Sequence, residues 1–173
     1  GTLKAVLLLN TEPVADSAAG ASAATQLAKA QMVVTMSPFK ANMEFSDVLL
    51  PVSPFSETSG TFVNAEGRAQ SFHAVVKPFA ETRPAWKVLR VLGNMLGLQS
   101  FEYNTSQEVL ADATRLPIHL NNAAAPELLA SAPSATFQAD PVVASIYQLD
   151  GLVRRAPSLQ LTADARQALE GAA

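Results

Sequence analysis

Apolar residues come in short bunches separated by turn-forming polar ones, and the spacing of those bunches predicts an α/β fold. Leu3 to Leu9 is an almost unbroken apolar run, which predicts a strand buried on both faces of a parallel sheet. The turn Asn10-Thr11-Glu12-Pro13 closes it, and Asp16 or Ser17 can then cap an alanine-rich helix reaching about Ala30, weakened by Gly20. Met32 to Met36 reads as a second buried strand, ended by Ser37-Pro38. Strand, helix and strand at this spacing form a Rossmann-like βαβ unit, whose crossover is right-handed in nearly all proteins. A brief helical turn over Asn42 to Phe45 leads to a third short strand, Asp47 to Leu50, stopped by Pro51.

Beyond an ordered loop from Val52 to Ser59, the pattern changes to a hairpin. A polar cluster through Gly60 and Thr61 and the apolar pair Phe62 and Val63 lead into the tip, Asn64 to Arg68, and Ala69 to Val76 is the return arm, with Gly67 supplying a positive φ. Thr82 is placed to cap a helix with Pro84 in its first turn, an apolar stripe of Trp86, Leu89, Leu92 and Leu96, and Gly97 at its end. Thr105 and Glu108 have capping-box spacing, so another helix should run to about Thr114. Residues 121–141 are rich in Ala, Pro, Ser and Asn and predict little beyond a short helix at Pro126 to Ala130. Thr162 opens a last helix, Ala163 to Glu170, with Asp164 favourably placed against its N-terminal dipole. The expected organisation is one α/β unit over 1–173, with a βαβ core to about 60, the hairpin at about 57–77 and helical or irregular chain from about 82. Its expected core is Val6, Leu8, Val33, Val34, Val48, Leu49, Trp86, Leu89 and Leu92.

Composition narrows the function classes. The chain has 173 residues, enough for one domain with a core, and only 16% of them are charged against 49% hydrophobic. So sparing a use of charge fits either a surface partly meant for an interface or a simply alanine-rich sequence. A net charge of −3 argues against nucleic acid, which calls for a basic face. Without cysteine the chain can hold no iron–sulfur cluster, disulfide or thiolate metal site, and it suits a cytosolic setting. No apolar run approaches the roughly 20 residues of a membrane span, and no basic segment precedes Leu3, so the expectation is a soluble chain without a secretion signal or direct membrane insertion. An opening at Gly1 in place of Met suggests an imposed boundary.

Candidate chemistry concentrates in residues 57–70. Glu57, Glu66, Arg68, Gly60 and Gly67 on one tight loop can serve a structural turn or a cofactor or interface contact. Elsewhere the signals are weak. His73 and His119 lack metal partners at ligand spacing, and Gly93 to Gly97 lacks the strand-to-helix setting of a phosphate loop, so helix-end glycines are the better reading. Asn104-Thr105-Ser106 reads as a helix cap before it reads as a glycosylation sequon. Arg154-Arg155 fits either an anion or subunit contact or a solvated helix end.

The pattern Glu-x-x-Gly-Thr-x-x-Asn-x-Glu-Gly-Arg-x-Gln, Glu57 to Gln70, resembles a signature of the molybdopterin oxidoreductase superfamily, and Ser46 to Pro51 resembles the strand before it there. Within that superfamily, Leu8 to Pro13 and Asp150 to Gln160 resemble segments of the large iron–sulfur subunit of bacterial NADH–quinone oxidoreductase, respiratory complex I. The resemblance implies an α/β domain over a pterin cleft, with Glu57, Gly60, Thr61, Asn64, Glu66, Gly67 and Arg68 on a vestigial loop beside it. It implies no cofactor in this chain, iron–sulfur clusters elsewhere in the subunit, and other domains and complex I subunits as partners on the cytoplasmic side of the inner membrane. The chain would then be a non-catalytic packing module of a complex passing electrons from NADH to quinone. A Glu-Pro turn where the enzymes often have Gly-Asn-Pro is a departure. Alternatives are a fragment of a molybdopterin enzyme such as a formate dehydrogenase, and a free-standing domain for a small anion. As a fragment, it should have lost the packing partner of Leu152, Val153, Leu159 and Leu161. These should then pack against Asn121 to Pro141 or a neighbouring molecule, or the final helix should be poorly ordered, with Arg154 and Arg155 facing solvent or a neighbouring molecule. Glu66 and Arg68 should fix the hairpin against Pro54 to Ser59.

Overall fold

A computed structural model describes residues 3–64, 66–114 and 145–170. The first apolar runs become three strands, β1 (Ala5–Leu9), β2 (Met32–Ser37) and β3 (Val48–Pro51), in one parallel sheet of order β1-β2-β3. Val6 pairs with Val33 and Leu8 with Thr35, while Thr35 pairs onward with Leu49. β4 (Gly60–Val63) and β5 (Ala69–Phe72) form the expected hairpin, Gly60 opposite Phe72 and Phe62 opposite Gln70. The α/β fold, with its short parallel sheet, hairpin and later helices, is as the pattern predicts.

The expected first helix is two. α1 (Pro13–Asp16) stops where Ser17 turns extended and its hydroxyl donates to the Pro13 carbonyl at 2.6 Å; α2 (Ala21–Leu27) starts after Gly20 at φ +51°. Asp16 caps no later helix. Its carboxylate reaches back to accept from the Glu12 N–H at 2.7 Å.

Burial is uneven. Leu8, Val33 and Thr35 are 9%, 1% and 0% exposed on one sheet face, whereas Leu7, Met32 and Val48 on the other are 45%, 50% and 41% exposed. Leu7 and Leu9 are left exposed, which corrects the reading of β1 as buried on both faces, although Met36 on that same side of the sheet is fully buried. Met36, Val52, Ala23, Ala41 and Ala165 complete the apolar core, with Thr35, Ser37 and Ser53 as its buried polar members. Thr35 is satisfied by Ser46 Oγ at 2.7 Å and by the Asn42 amide at 3.3 Å. Of the expected core, Leu8 and Val33 are buried, Val48 is exposed, and Val6, Val34, Leu49, Trp86, Leu89 and Leu92 are half-buried. The centre lies instead where β2 and β3 end, because the chain closes over that end of the sheet.

α3 (Ala85–Met95) begins after Pro84, two residues later than expected; Thr82 spends its hydroxyl on the Phe79 carbonyl at 2.7 Å and does not cap the helix. Its end is a Schellman turn: Gly97 at φ +71° donates to the Asn94 carbonyl and Leu98 to that of Gly93, both at 3.0 Å. Leu96 is 67% exposed and leaves the stripe. α4 (Ser106–Ala113) has Thr105 accepting from the Glu108 N–H at 3.2 Å, while the Glu108 carboxylate accepts from Asn104 at 2.7 Å. The C-terminal part holds α5 (Ile146–Leu149), a 3-10 turn (Val153–Arg155), α6 (Pro157–Gln160) and α7 (Ala163–Glu170). Leu152, Leu159 and Leu161 are exposed there and Val153 is half-buried, while the packing expected against 121–141 lies outside the described residues. His119, residues 121–141 and the short helix expected at 126–130 lie outside the described residues. Among the described residues no helix is long and apolar enough to cross a membrane.

Candidate functional site

Parallel strands deliver their loops to one edge of the sheet, and here the hairpin is laid across that edge. Asn10 after β1, Ser37 at the end of β2 and Ser53 beyond β3 form one side of a cavity of about 700 Å3. Gly60, Thr61 and Phe62 of β4 form another side, and residues 149–152 a third. Phe62 stacks on Phe72 at 4.7 Å between centroids and meets Phe55 edge-on at 6.3 Å. The mouth is therefore aromatic and apolar, while the strand ends supply hydroxyl and amide groups.

Each residue of the signature has a definable place. A Cβ on Gly60 would sit 2.8 Å from the far edge of the Phe72 ring, so any other residue there would have to displace that ring. The Thr61 and Ser71 hydroxyls meet across the strands at 3.0 Å. Glu57 turns away from the cavity: its carboxylate accepts from the Phe79 N–H at 2.9 Å and lies 3.4 Å from the Thr82 hydroxyl, tying residues 79–82 to the hairpin base. Asn64 organises the tip. Its side-chain oxygen accepts from the N–H groups of Glu66 at 3.0 Å and Arg68 at 2.8 Å, and its carbonyl accepts from Gly67 at 3.0 Å. Gly67 takes φ +79°. Gly60 and Thr61 thus line the cavity, whereas Glu57, Asn64, Glu66, Gly67 and Arg68 do not. The expectation that Glu66 and Arg68 brace the loop against Pro54 to Ser59 is corrected. Both are exposed, and among the described residues it is their backbone N–H groups, not their side chains, that hold the tip, because Asn64 presents an acceptor at the right height.

The third side carries the main charge cluster. Arg154 bridges Glu12 and Asp16, each at 3.0 Å, and Arg155 meets Glu12 at 2.7 Å. The Arg155 guanidinium also lies 4.0 Å from the Phe39 ring centroid. Arg155 stays exposed, but Arg154 is half-buried, which corrects the expectation for that residue: the first turn after β1 offers two carboxylates one helical turn apart, and Arg154 fits between them. Burial pulls the Arg154 pKa down, but the hydrogen bonds and charges of Glu12 and Asp16 outweigh it and hold the group above its ordinary value. Asp150 is held below the usual carboxylate range because it accepts from the N–H groups of Val153 and Leu152. The sequence carried half a signal for this cluster, an arginine pair in a charge-poor chain, but a partner 138 positions away has no local trace.

Among the described residues, Glu12, Asp16 and Asp150 against Arg154 make the charged lining of the cavity net acidic, with Arg154 already paired. Such a lining does not by itself suit a pterin cofactor, whose phosphates are anionic. Among the described residues no group of three His, Cys, Asp or Glu could hold a metal ion.

A family model described as molybdopterin oxidoreductase matches residues 1–95. The chain is 39% identical over 72 residues to a putative formate dehydrogenase of Staphylococcus aureus (strain bovine RF122 / ET3-1), covering 42% of this chain and 7% of that protein. It is 38% identical over 77 residues to a probable oxidoreductase, YjgC, of Bacillus subtilis (strain 168), covering 44% and 8%. A putative formate dehydrogenase of Staphylococcus aureus (strain USA300) is 35% identical over 72 residues, covering 42% and 7%. The chain therefore aligns with less than a tenth of the length of these curated relatives.

Proposed function

We propose, from the premise that this chain belongs to the molybdopterin oxidoreductase family, that it is a structural module of a larger formate dehydrogenase-like oxidoreductase subunit. The observation that carries this is the hairpin with the family signature, laid over the carboxyl ends of three parallel strands to wall a cavity. In that role Glu57, Asn64 and Gly67 hold the hairpin in shape, and Gly60 and Thr61 give it a slim face towards the cavity. Glu66 and Arg68, exposed at the tip, are free to meet another domain of the subunit. The molybdopterin group would supply the redox chemistry when bound, held by residues outside this chain. Names of the relatives support this reading over the narrower one drawn from complex I.

A second reading keeps a specific observation in its favour. The two segments that resemble the complex I subunit, around Glu12 and around Arg154, bind each other through three ion pairs. On that reading the module packs within the peripheral arm on the cytoplasmic side of the inner membrane. The native polypeptide, purified from its own cells, separates the two. Formate-dependent reduction of a viologen dye is the expected result. Co-purification with NADH-dependent quinone reduction, and no formate activity, would replace the first reading by the second.

A further inference from the structure

We propose that residues 145–160 form an ion-latched gate: the ion pairs of Arg154 and Arg155 hold this segment as the third wall of the cavity, and their release opens it. The gate belongs to the cavity itself and stands whichever larger oxidoreductase the chain serves.

The three walls are held by different forces. Backbone pairing joins β1, β2 and β3, and the chain beyond β3 is fixed by the Val52 N–H on the Ser37 carbonyl at 3.2 Å and the Ser53 N–H on that of Arg83 at 2.9 Å. The hairpin has its own ladder, and the Val75 N–H ties its base to the Ser56 carbonyl at 2.9 Å. The third wall, residues 149–152, has nothing of the kind. Among the described residues, the hydrogen bonds that join 145–170 to 3–114 all start from two guanidinium groups, Arg154 on Glu12 and Asp16 and Arg155 on Glu12. Within the segment, the same arginines are firmly tied. Arg154 donates to the Gln148 carbonyl and Arg155 to that of Gly151, while Gln160 donates to the carbonyls of both Tyr147 and Val153. Residues 147–160 can therefore move as one piece, pivoting on a latch of four side chains.

Apolar packing does not make up the difference. Leu149 and Leu152, on the wall itself, are 47% and 56% exposed, and Ile146, Leu159 and Leu161 are exposed as well, so opening wets little further apolar surface. Local opening starts in the element with the least buried apolar contact and no ladder to its neighbours, and that is this segment. Glu12, Asp16 and Arg154 all line the cavity, so latch and wall are one structure. Their side chains keep 21%, 31% and 16% exposure, within reach of dissolved ions that compete for the pairs.

The test is access to the cavity in the full-length polypeptide. Ser37→Cys and Ser53→Cys, made separately, place a thiol at two buried positions of the cavity lining, and either suffices if the other fails to fold. Val33→Cys, at a core position outside the lining, reports opening of the sheet itself. Each is exposed to N-ethylmaleimide, an uncharged reagent, and labelling at the introduced residue is read by mass spectrometry. Glu12→Gln keeps the shape of the side chain both arginines hold and removes its charge, without touching the segment. It should speed labelling at the cavity positions at least about fivefold, as expected of an easier local opening. Raising potassium chloride from about 0.1 M to about 1 M, which shortens the screening length from about 10 to about 3 Å, should act in the same direction. Val33→Cys should stay slow throughout. Cavity labelling unmoved by Glu12→Gln overturns the proposal, whatever salt does, and leaves formate activity free to stand. Val33→Cys speeding up in step with the cavity positions means that the whole sheet opens, and overturns it too.

Discussion

Replacing Arg154 with methionine removes the guanidinium and keeps an unbranched apolar stem. The change deletes the ion pairs to Glu12 and Asp16 and the donation to the Gln148 carbonyl at 2.9 Å. Exposed pairs contribute about 0–1 kcal/mol, and breaking a fully buried pair costs about 3–5 kcal/mol. Side-chain exposures of 16% for Arg154, 21% for Glu12 and 31% for Asp16 place this cluster between those limits. Arg155 stays on Glu12, so only Asp16 is left without its cation. The expected loss is about 1–3 kcal/mol after discounting for solvent screening. For a chain of this size that lowers Tm by roughly 2–4 °C per kcal/mol. Thermal unfolding followed by circular dichroism measures it, and hydrogen exchange locates it. Amides of 145–160 should lose protection while those of β2 keep theirs. Arg154→Lys, with one point charge for two carboxylates, should fall between wild type and Arg154→Met. Unchanged Tm and unchanged protection at 145–160 would refute the view that this cluster fastens the C-terminal segment to the turn after β1.

Further expectations concern backbone and packing. Gly67 has open space around a notional Cβ but sits at φ +79°, so Gly67→Val should cost about 1–3 kcal/mol by strain alone, and Gly67→Asn markedly less; equal melting of the two would contradict this. At Gly93 the conflict is steric, since a Cβ would come within 2.4 Å of the Phe101 ring: Gly93→Ala should destabilise by about 1–3 kcal/mol, and a simultaneous Phe101→Ala should make the pair non-additive in a double-mutant cycle. Asp150 has its folded-state pKa below the ordinary value, so its stabilising effect is present at neutral pH and is lost as pH falls through the folded-state value. Protection factors of the Leu152 and Val153 amides should drop in that acid range and stay level from pH 5 to 8; a drop near neutrality would point to another group.

What could be read from the residues follows from how local each cause is. Hairpin, Schellman turn and the Thr105 cap were legible because Asn64, Gly67, Gly97 and Thr105 act within a few positions of themselves. The parallel sheet was legible from apolar runs, but not the inequality of its faces, because an apolar run shows no difference between a covered Leu8 and an uncovered Leu7. The broken first helix turned on Ser17, whose hydroxyl found a carbonyl of the preceding turn, and on Gly20, which the residue pattern marked as a weak point without showing that the helix would end there. The Arg154 cluster and the turn of Glu57 towards Phe79 depend on chain returning from far along the sequence, and only the folded chain brings them together.

The central claim, that this chain is the non-catalytic wall of a larger molybdopterin-fold oxidoreductase, is met most directly by metal analysis. Molybdenum and extractable pterin are measured in the native polypeptide and in the isolated 173-residue chain, purified side by side. Stoichiometric molybdenum with pterin in the first and neither in the second is the result the account predicts. Native polypeptide free of both, or an isolated chain that retains either, would contradict it.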